Sequence, residues 1–177
     1  MLCVINNTAH DVSYHYDICE WLKLKKVSYY CSNSGSAFLP DVSGGLIISG
    51  GPFHSDSVRY LNSTISEFRG PILGICLGCM ALVEVFGGTL GECEQADVIS
   101  VEGEFPGFDN RSDAKAAHRQ KIVSPGDLIP CLWDVKTREI VGVRHGTKQI
   151  FGVMFHPESP LTICGNDLLQ QFLRLVR

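Results

Sequence analysis

The chain has 177 residues, of which 45% are hydrophobic and 19% are charged. This composition is typical of a folded globular protein and excludes a disordered one. The 15 basic and 19 acidic residues give a net charge of −4, which argues against nucleic acid or an anionic membrane as a partner. No apolar run approaches the roughly 18 residues of a membrane span, and the N-terminus lacks the basic region of a signal peptide.

Eight cysteines are scattered along the chain. A chain of this length buries enough apolar surface to fold without disulfides, so we expect free thiols and a cytoplasmic location. Cys76 and Cys79 form a C-x-x-C pair, but no second such pair and no closely spaced histidine pair completes a zinc motif. The sequence therefore predicts neither a metal site nor a cofactor.

The hydrophobic pattern of the first half predicts alternating strands and helices. Short apolar runs predict strands at 2–6, 27–31, 45–49 and 72–76, and helical spacing predicts helices at 13–25, 57–68 and 77–86. Alternating strands and helices with short connections predict a parallel sheet with helices on both faces.

The second half has a different pattern. Short strand-like segments lie at 97–102, 120–123, 140–145 and 150–155, and the last two are predicted to form a hairpin across Gly146–Gln149. An amphipathic helix over 166–176 ends the chain. The predicted fold is α/β: an open, mostly parallel sheet with a small antiparallel extension, in one domain over 1–177.

The segment Gly74-Ile75-Cys76-Leu77-Gly78 lies at a predicted strand-to-helix junction. It has the G-x-nucleophile-x-G form of a nucleophile elbow, in which glycines permit a sharp turn that exposes the nucleophile. The positive end of the following helix favours a thiolate at Cys76, and the Leu77 N–H is available to bind an oxyanion. A buried cysteine between two glycines explains this pattern equally well.

Two further segments complete a possible catalytic set. Pro157 disfavours a helical conformation at His156, and in an extended segment His156 and Glu158 point to the same side. Glu158 can then orient the imidazole, and the other ring nitrogen can accept the Cys76 proton. The loop Ser49-Gly50-Gly51-Pro52 follows a buried strand, where backbone N–H groups can approach a ligand closely. Taken singly, each segment also fits an ordinary turn.

These motifs resemble the class I, or triad, glutamine amidotransferases over nearly the whole chain. PILGICLG resembles the cysteine elbow of the family, FGVMFHPES its His/Glu motif and LIISGGP its oxyanion loop. The resemblance implies a flavodoxin-like amidotransferase fold and glutamine hydrolysis through a γ-glutamyl thioester. It implies Cys76 as nucleophile, His156 as base and then acid, and Glu158 as orienter, with oxyanion N–H groups from Gly51 and Leu77.

Within the family, the C-terminal segment is most similar to the amidotransferase component of anthranilate or aminodeoxychorismate synthase. The SGGP loop and the middle of the chain are closer to the small GMP synthase subunit. The resemblance implies that the partner is a separate synthase subunit, because the glutaminase domain occupies the whole chain. It also implies that substrate is bound by residues of three segments, Gly50, Pro52, Met80, His118 and Arg119.

One position departs from the family pattern. Where the family has a glutamine that holds the substrate, this sequence has Met80, whose thioether is only a weak acceptor. Three interpretations stay open: weaker glutamine binding, a free-standing hydrolase acting on another γ-glutamyl compound, or a subunit that has lost catalysis or needs its partner. Cys79 is a second thiol one helical turn from Cys76, so it is a candidate competing nucleophile or resolving thiol.

Overall fold

The computed structural model describes residues 1–7, 14–33, 44–52 and 55–176. Within these ranges the chain forms one mixed sheet of eleven strands together with four helices. In chain order the elements are β1 (Leu2–Asn6), α1 (Tyr14–Leu24), β2 (Tyr29–Asn33), β3 (Gly45–Ile48), α2 (Ser55–Glu67), β4 (Ile72–Ile75), α3 (Leu77–Val85), β5 (Thr89–Glu92), β6 (Val98–Phe105), β7 (Phe108–Lys115), β8 (Gln120–Ser124), β9 (Ile129–Asp134), β10 (Ile140–Arg144), β11 (Ile150–Val153) and α4 (Gly165–Leu175).

Five neighbouring strands form the parallel half of the sheet, in the spatial order β2-β1-β3-β4-β11. The apolar strands β1, β3 and β4 are buried along almost their whole length, as expected for parallel strands covered on both faces. Helix α2 packs against α3, while the Trp21 indole of α1 donates a hydrogen bond to Asn166 of α4. The carboxyl ends of β1, β3, β4 and β11 meet at one edge, where open α/β sheets bind ligands.

The remaining strands form an antiparallel extension. Strand β11 turns back on β10 through the loop 145–149, and the sheet continues through β9 and β6 to β7. Strands β8 and β5 branch from β10. Among the described helices, none combines the length and the apolar character required to cross a lipid bilayer.

The predicted fold class is confirmed, but the antiparallel extension is larger than predicted because three strands have no clear period-2 pattern. β7 is largely polar, β9 contains Pro130, and β5 is only four residues long. The pairing partners of these strands therefore define them more than a period-2 pattern of their own does.

The predicted second strand begins two residues too early. Lys26 has a left-handed backbone with φ of 57°, and the Val27 N–H donates to the Leu22 carbonyl at the end of α1. These residues therefore terminate the helix, and pairing with β1 begins only at Tyr29, opposite Leu2.

Candidate active site

Cys76 occupies a strained turn between β4 and α3. Its φ of 50° and ψ of −105° are unusual for a residue with a side chain. A Cβ atom on Gly74 would lie 2.6 Å from the Gly78 backbone, and one on Gly78 would lie 2.2 Å from the Ile48 carbonyl oxygen. The turn is sharp because both flanking residues lack side chains, so α3 packs directly against the sheet.

His156 lies beside Cys76 and is held by Glu158. The His156 Nδ1 and Glu158 Oε1 atoms are 2.7 Å apart, and both side chains are fully buried. The imidazole also hydrogen-bonds the Cys76 side chain. Burial disfavours the charged imidazole, but the hydrogen bonds and charges of Cys76 and Glu158 outweigh it and raise the pKa of His156 from 6.5 to about 10. The three side chains thus form one buried chain of hydrogen bonds, with a protonated imidazole at neutral pH.

The glycine loop after β3 packs against this imidazole. A Cβ on Gly50 would lie 2.8 Å from His156 Cε1 and 3.4 Å from the Cys76 Cβ, so only glycine fits without movement. The loop is fixed from β1: the Asn7 amide nitrogen Nδ2 donates to the Ser49 carbonyl over 2.7 Å, and the Ser49 hydroxyl donates to the Gly50 carbonyl over 3.0 Å. The backbone near the thiol is therefore preorganised.

The antiparallel extension fixes the backbone of His156. The His156 N–H donates to the Lys115 carbonyl of β7 over 2.9 Å. The Thr162 hydroxyl donates to the His156 carbonyl over 2.6 Å and accepts from the Lys115 N–H over 3.0 Å. Thr162 is buried, so this bridge ties the segment of His156, which follows β11 of the parallel half, to β7 of the extension.

A pocket of about 290 Å³ opens at Cys76. Six residues predicted for the site line it together with three that the sequence did not predict, and the whole lining is Gly51, Pro52, Cys76, Met80, Gln95, Ala117, His118, Arg119 and Gln120. The other predicted residues lie behind this surface. Gly50 contacts His156, and the buried Leu77 begins α3, whose first N–H groups have no partner within the helix.

The hydrogen bond of His118 defines which of its ring nitrogens carries the proton. Its Nδ1 lies 2.7 Å from the Gln120 carbonyl oxygen, which can only accept, so Nδ1 carries the proton. Burial lowers the pKa of His118, which favours the neutral ring. Its Nε2 is then a buried acceptor that has no hydrogen-bond partner within the described part of the chain. A donor group on a ligand would satisfy it.

Arg119 lies at the exposed rim of the pocket, where its Nε donates to Gln95 Oε1 over 3.0 Å. The remaining N–H groups of a guanidinium suit a carboxylate. Sequence reasoning missed Gln95, Gln120, Asn7 and Thr162 because each reaches the site from a separate strand or loop. The pocket lining that contains Met80 also contains two residues with side-chain amides, Gln95 and Gln120.

Cys79 is separated from this chemistry. Its side chain is fully buried, and a Cβ on Gly152 of β11 would lie 2.7 Å from its sulfur. Burial, and next the charge of Cys76, raise the pKa of Cys79 well above its usual range. It does not line the pocket. The sequence leaves open whether Cys79 acts as a competing nucleophile or a resolving thiol. Its position favours neither role, because its side chain packs α3 against β11.

The chain is similar to known proteins over most of its length. The family model described as glutamine amidotransferase class-I matches residues 23–176. The chain is 34% identical over 143 residues to a glutamine-hydrolyzing GMP synthase subunit of Methanopyrus kandleri, covering 75% of this chain and 76% of the relative. It is 32% identical to aminodeoxychorismate/anthranilate synthase component 2 of Bacillus subtilis, covering 100% of this chain and 97% of that protein.

Solved structures share the fold. A protein from Thermoplasma acidophilum, proposed to be a GMP synthase subunit, superposes with a TM-score of 0.87 at 22% identity over 98% of this chain and 92% of that one. PurLQS from Thermotoga maritima superposes with a TM-score of 0.76 at 21% identity, covering 98% and 97% of the two chains. The family and the enzyme class predicted from the cysteine, histidine and glycine motifs are confirmed by the sequence matches. The chain belongs to the class-I glutamine amidotransferase family.

Proposed function

We propose that this protein hydrolyses glutamine to glutamate and ammonia at Cys76 and passes the ammonia to a separate synthase subunit. The observation that carries the proposal is the buried chain Cys76, His156 and Glu158 at a pocket of about 290 Å³. A thiolate paired with an imidazolium is the reactive form of a catalytic cysteine. The pocket is at the small end of the range for ligand sites, which suits a single amino acid.

The reaction follows from this geometry. The Cys76 thiolate attacks the γ-carbonyl carbon of glutamine, a C–S bond forms, and the carbonyl oxygen takes the negative charge. The N–H groups of Gly51 and Leu77 stabilise that oxyanion. The C–N bond then breaks as protonated His156 gives its proton to the leaving ammonia. His156, oriented by Glu158, next takes a proton from water, which hydrolyses the thioester to glutamate and restores the thiolate.

Substrate binding is assigned to the remaining pocket residues. The acceptor Nε2 of His118 suits the α-ammonium group, and the Arg119 guanidinium at the rim suits the α-carboxylate. Gly50 and Pro52 shape the loop that carries Gly51. Met80 supplies an apolar wall beside the side chain of the substrate.

The partner is proposed from the relatives. The B. subtilis protein is named as component 2 of an aminodeoxychorismate/anthranilate synthase, and the match spans this whole chain, so that type of synthase is favoured. A GMP synthase comes second, since the M. kandleri relative is named as one of its subunits. We place the chain, as a single amidotransferase domain over 1–177, in the cytoplasm, where its eight free cysteines stay reduced.

The test is glutamate release from glutamine by the purified chain, alone and with a chorismate-binding synthase subunit. We expect release that increases with the partner and is abolished in Cys76→Ser. Cys164→Ser is the matched control, since it removes a half-buried thiol outside the site, and its activity should equal that of the parent. Absence of glutamate release with every synthase tried would overturn the proposal.

A second candidate is hydrolysis of a different γ-glutamyl compound, and Met80 is the observation that favours it. A panel of γ-glutamyl amides and peptides assayed beside glutamine separates the two. A higher kcat/KM for any member of the panel than for glutamine, measured with the partner present, would make that compound the substrate. A highest value for glutamine would exclude the second candidate.

A further inference from the structure

A second cluster of reactive side chains lies outside the active site, between α1 and β2. His15 and Cys19 belong to α1, and Cys31 belongs to β2. One ring nitrogen of His15 and the two sulfurs all lie within 4.8 Å of one another, and the sulfurs are 3.3 Å apart. None of the three lines the pocket at Cys76, so the proposed amidotransferase reaction leaves them without a role.

The fold brings these residues together from two elements. His15 and Cys19 are four residues apart on one helix, so they share a face. β2 is the terminal strand of the parallel half, and Cys31 lies on it opposite Val4 of β1. Cys19 is buried, His15 is half-buried and Cys31 is exposed. The cluster is therefore anchored in the core at one end and open to solvent at the other, which gives an ion a path of entry.

We propose that His15, Cys19 and Cys31 bind one soft cation of the zinc class. Two sulfurs and one imidazole nitrogen form a donor set that prefers Zn²⁺ or Cu⁺ to magnesium or calcium. With Zn–S bonds of about 2.3 Å, tetrahedral geometry separates two sulfur ligands by about 3.8 Å. The observed sulfur–sulfur distance of 3.3 Å is shorter than that value, and one ring nitrogen of His15 lies within 4.8 Å of both sulfurs, so small side-chain rotations suffice.

The charges and the protons balance when Zn²⁺ binds to these three residues. Each of the two thiols loses its proton to solvent, the neutral imidazole contributes a lone pair, and the site becomes electrically neutral. A water molecule takes the fourth position, on the exposed side of Cys31. The ion joins α1 to the terminal strand, so it stabilises the folded chain relative to the unfolded one.

The experiment titrates the full chain with Co²⁺, used as a coloured substitute for Zn²⁺. All variants carry Cys76→Ser, so that the thiol at the active site does not compete, and a phosphine reductant keeps the other thiols reduced. We expect one equivalent of Co²⁺ to give a thiolate-to-cobalt charge-transfer band of two-sulfur intensity, and Zn²⁺ to abolish it. Cys31→Ser should halve the band and weaken binding by at least about 100-fold, since even outer-shell changes cost roughly 10–100-fold.

Matched variants make the outcome decisive. Cys164→Ser removes a thiol outside the cluster and should leave the titration unchanged. His15→Ala should weaken binding while both sulfur ligands still contribute to the band. Because Cys31 is exposed and His15 half-buried, these variants test the site even where replacement of the buried Cys19 disturbs folding. Absence of stoichiometric binding under reducing conditions, or a band unchanged in Cys31→Ser, would overturn the proposal.

Discussion

The reactivity of Cys76 depends on contacts that are local to a few atoms. His156 hydrogen-bonds the sulfur on one side and Glu158 on the other, where Nδ1 and Oε1 are 2.7 Å apart. Inside a water-excluded site such charged contacts are far stronger than in solvent. Cys76 and the Glu158 carboxylate therefore keep the imidazole protonated where burial alone would make it neutral, and the proton needed by the leaving ammonia is already in place.

Glu158→Gln should change the pH dependence of activity. The pKa of His156 is raised from 6.5 to about 10, so the imidazolium is present at neutral pH and is lost as the pH rises toward 10. Removing the carboxylate charge removes one cause of that rise, so the alkaline limb of kcat/KM should move to lower pH. Each unit of movement corresponds to about 1.4 kcal/mol.

The measurement is kcat/KM for glutamine from about pH 6 to about pH 11, a range that spans the ordinary and the raised pKa of a histidine. Glu104→Gln, at an exposed position of β6, is the control and should leave the limb in place. An alkaline limb at the same pH in Glu158→Gln and in the parent would contradict the assigned role of His156 as the acid.

Met80→Gln should lower KM for glutamine. Met80 lines the pocket and is almost fully buried, so an amide at this position would meet the substrate away from water. A neutral hydrogen bond gained in such a site contributes about 0.5–1.5 kcal/mol net, which corresponds to a decrease in KM of roughly 2-fold to 13-fold. Met80→Leu keeps an apolar side chain of similar volume and should retain the parental KM. A KM that is higher in Met80→Gln than in the parent, and unchanged in Met80→Leu, would show that the apolar wall is required.

At the scale of elements, the site is built from strand ends and the start of one helix. β4 ends at Ile75, α3 begins at Leu77, and the single residue between them carries the thiol. Such a short connection requires α3 to contact the sheet directly. The close approach of Gly78 to the Ile48 carbonyl, which leaves no room for a Cβ, is the contact that permits it.

Gly78→Ala tests that close approach. The added Cβ would lie 2.2 Å from the Ile48 oxygen, and because this atom belongs to the backbone of β3, the helix itself must move. We expect a loss of about 1–3 kcal/mol in the free energy of unfolding and a large decrease in kcat, because Cys76 moves with the helix. Urea unfolding and glutamate release measure the two effects.

Gly146→Ala is the matched control for this variant. Its Cβ would meet only the end of the Ile129 side chain at 3.5 Å, which is ordinary contact. Its free energy of unfolding should stay within about 0.5 kcal/mol of the parental value. Equal stability and activity in Gly78→Ala and Gly146→Ala would show that α3 tolerates displacement from the sheet.

At the scale of the whole molecule, the two halves of the sheet meet at the active site. The parallel half carries Cys76 and the loop of Gly50 and Gly51, while β7 of the extension bonds the backbone of His156. The predicted helices and parallel strands account for the positions of Cys76 and of the glycine loop. They do not account for the contact between β7 and the site, because β7 is polar and the residues that it bonds there, His156 and Thr162, are distant in the sequence.

Thr162→Val tests the junction of the two halves. Valine has the same shape as threonine but cannot bond the His156 carbonyl or the Lys115 N–H, which the Thr162 hydroxyl contacts over 2.6 Å and 3.0 Å. We expect a loss of about 1–3 kcal/mol in stability for the unpaired buried groups, together with a lower kcat. Thr147→Val, at an exposed loop position, should change neither thermal unfolding nor turnover. If Thr162→Val behaves in the same way, the bridge does not position His156.

The sequence alone determined the parts of this protein that depend on near neighbours in the chain. The apolar runs of β1, β3 and β4 and the spacing of Gly74, Cys76 and Gly78 are local patterns, and the elements and turn they predict are present. The pair His156 and Glu158 is likewise two residues apart, so an extended backbone is enough to bring their side chains together.

Only the tertiary structure decided which distant residues join them. Asn7 fixes the glycine loop from β1, Thr162 bridges two segments, and Gln95 reaches the pocket from before β6. The same holds for Cys31, which meets Cys19 only because β2 lies beside α1. A sequence pattern reports the period of one element, whereas these contacts depend on strand order and register, which are set by packing over the whole sheet.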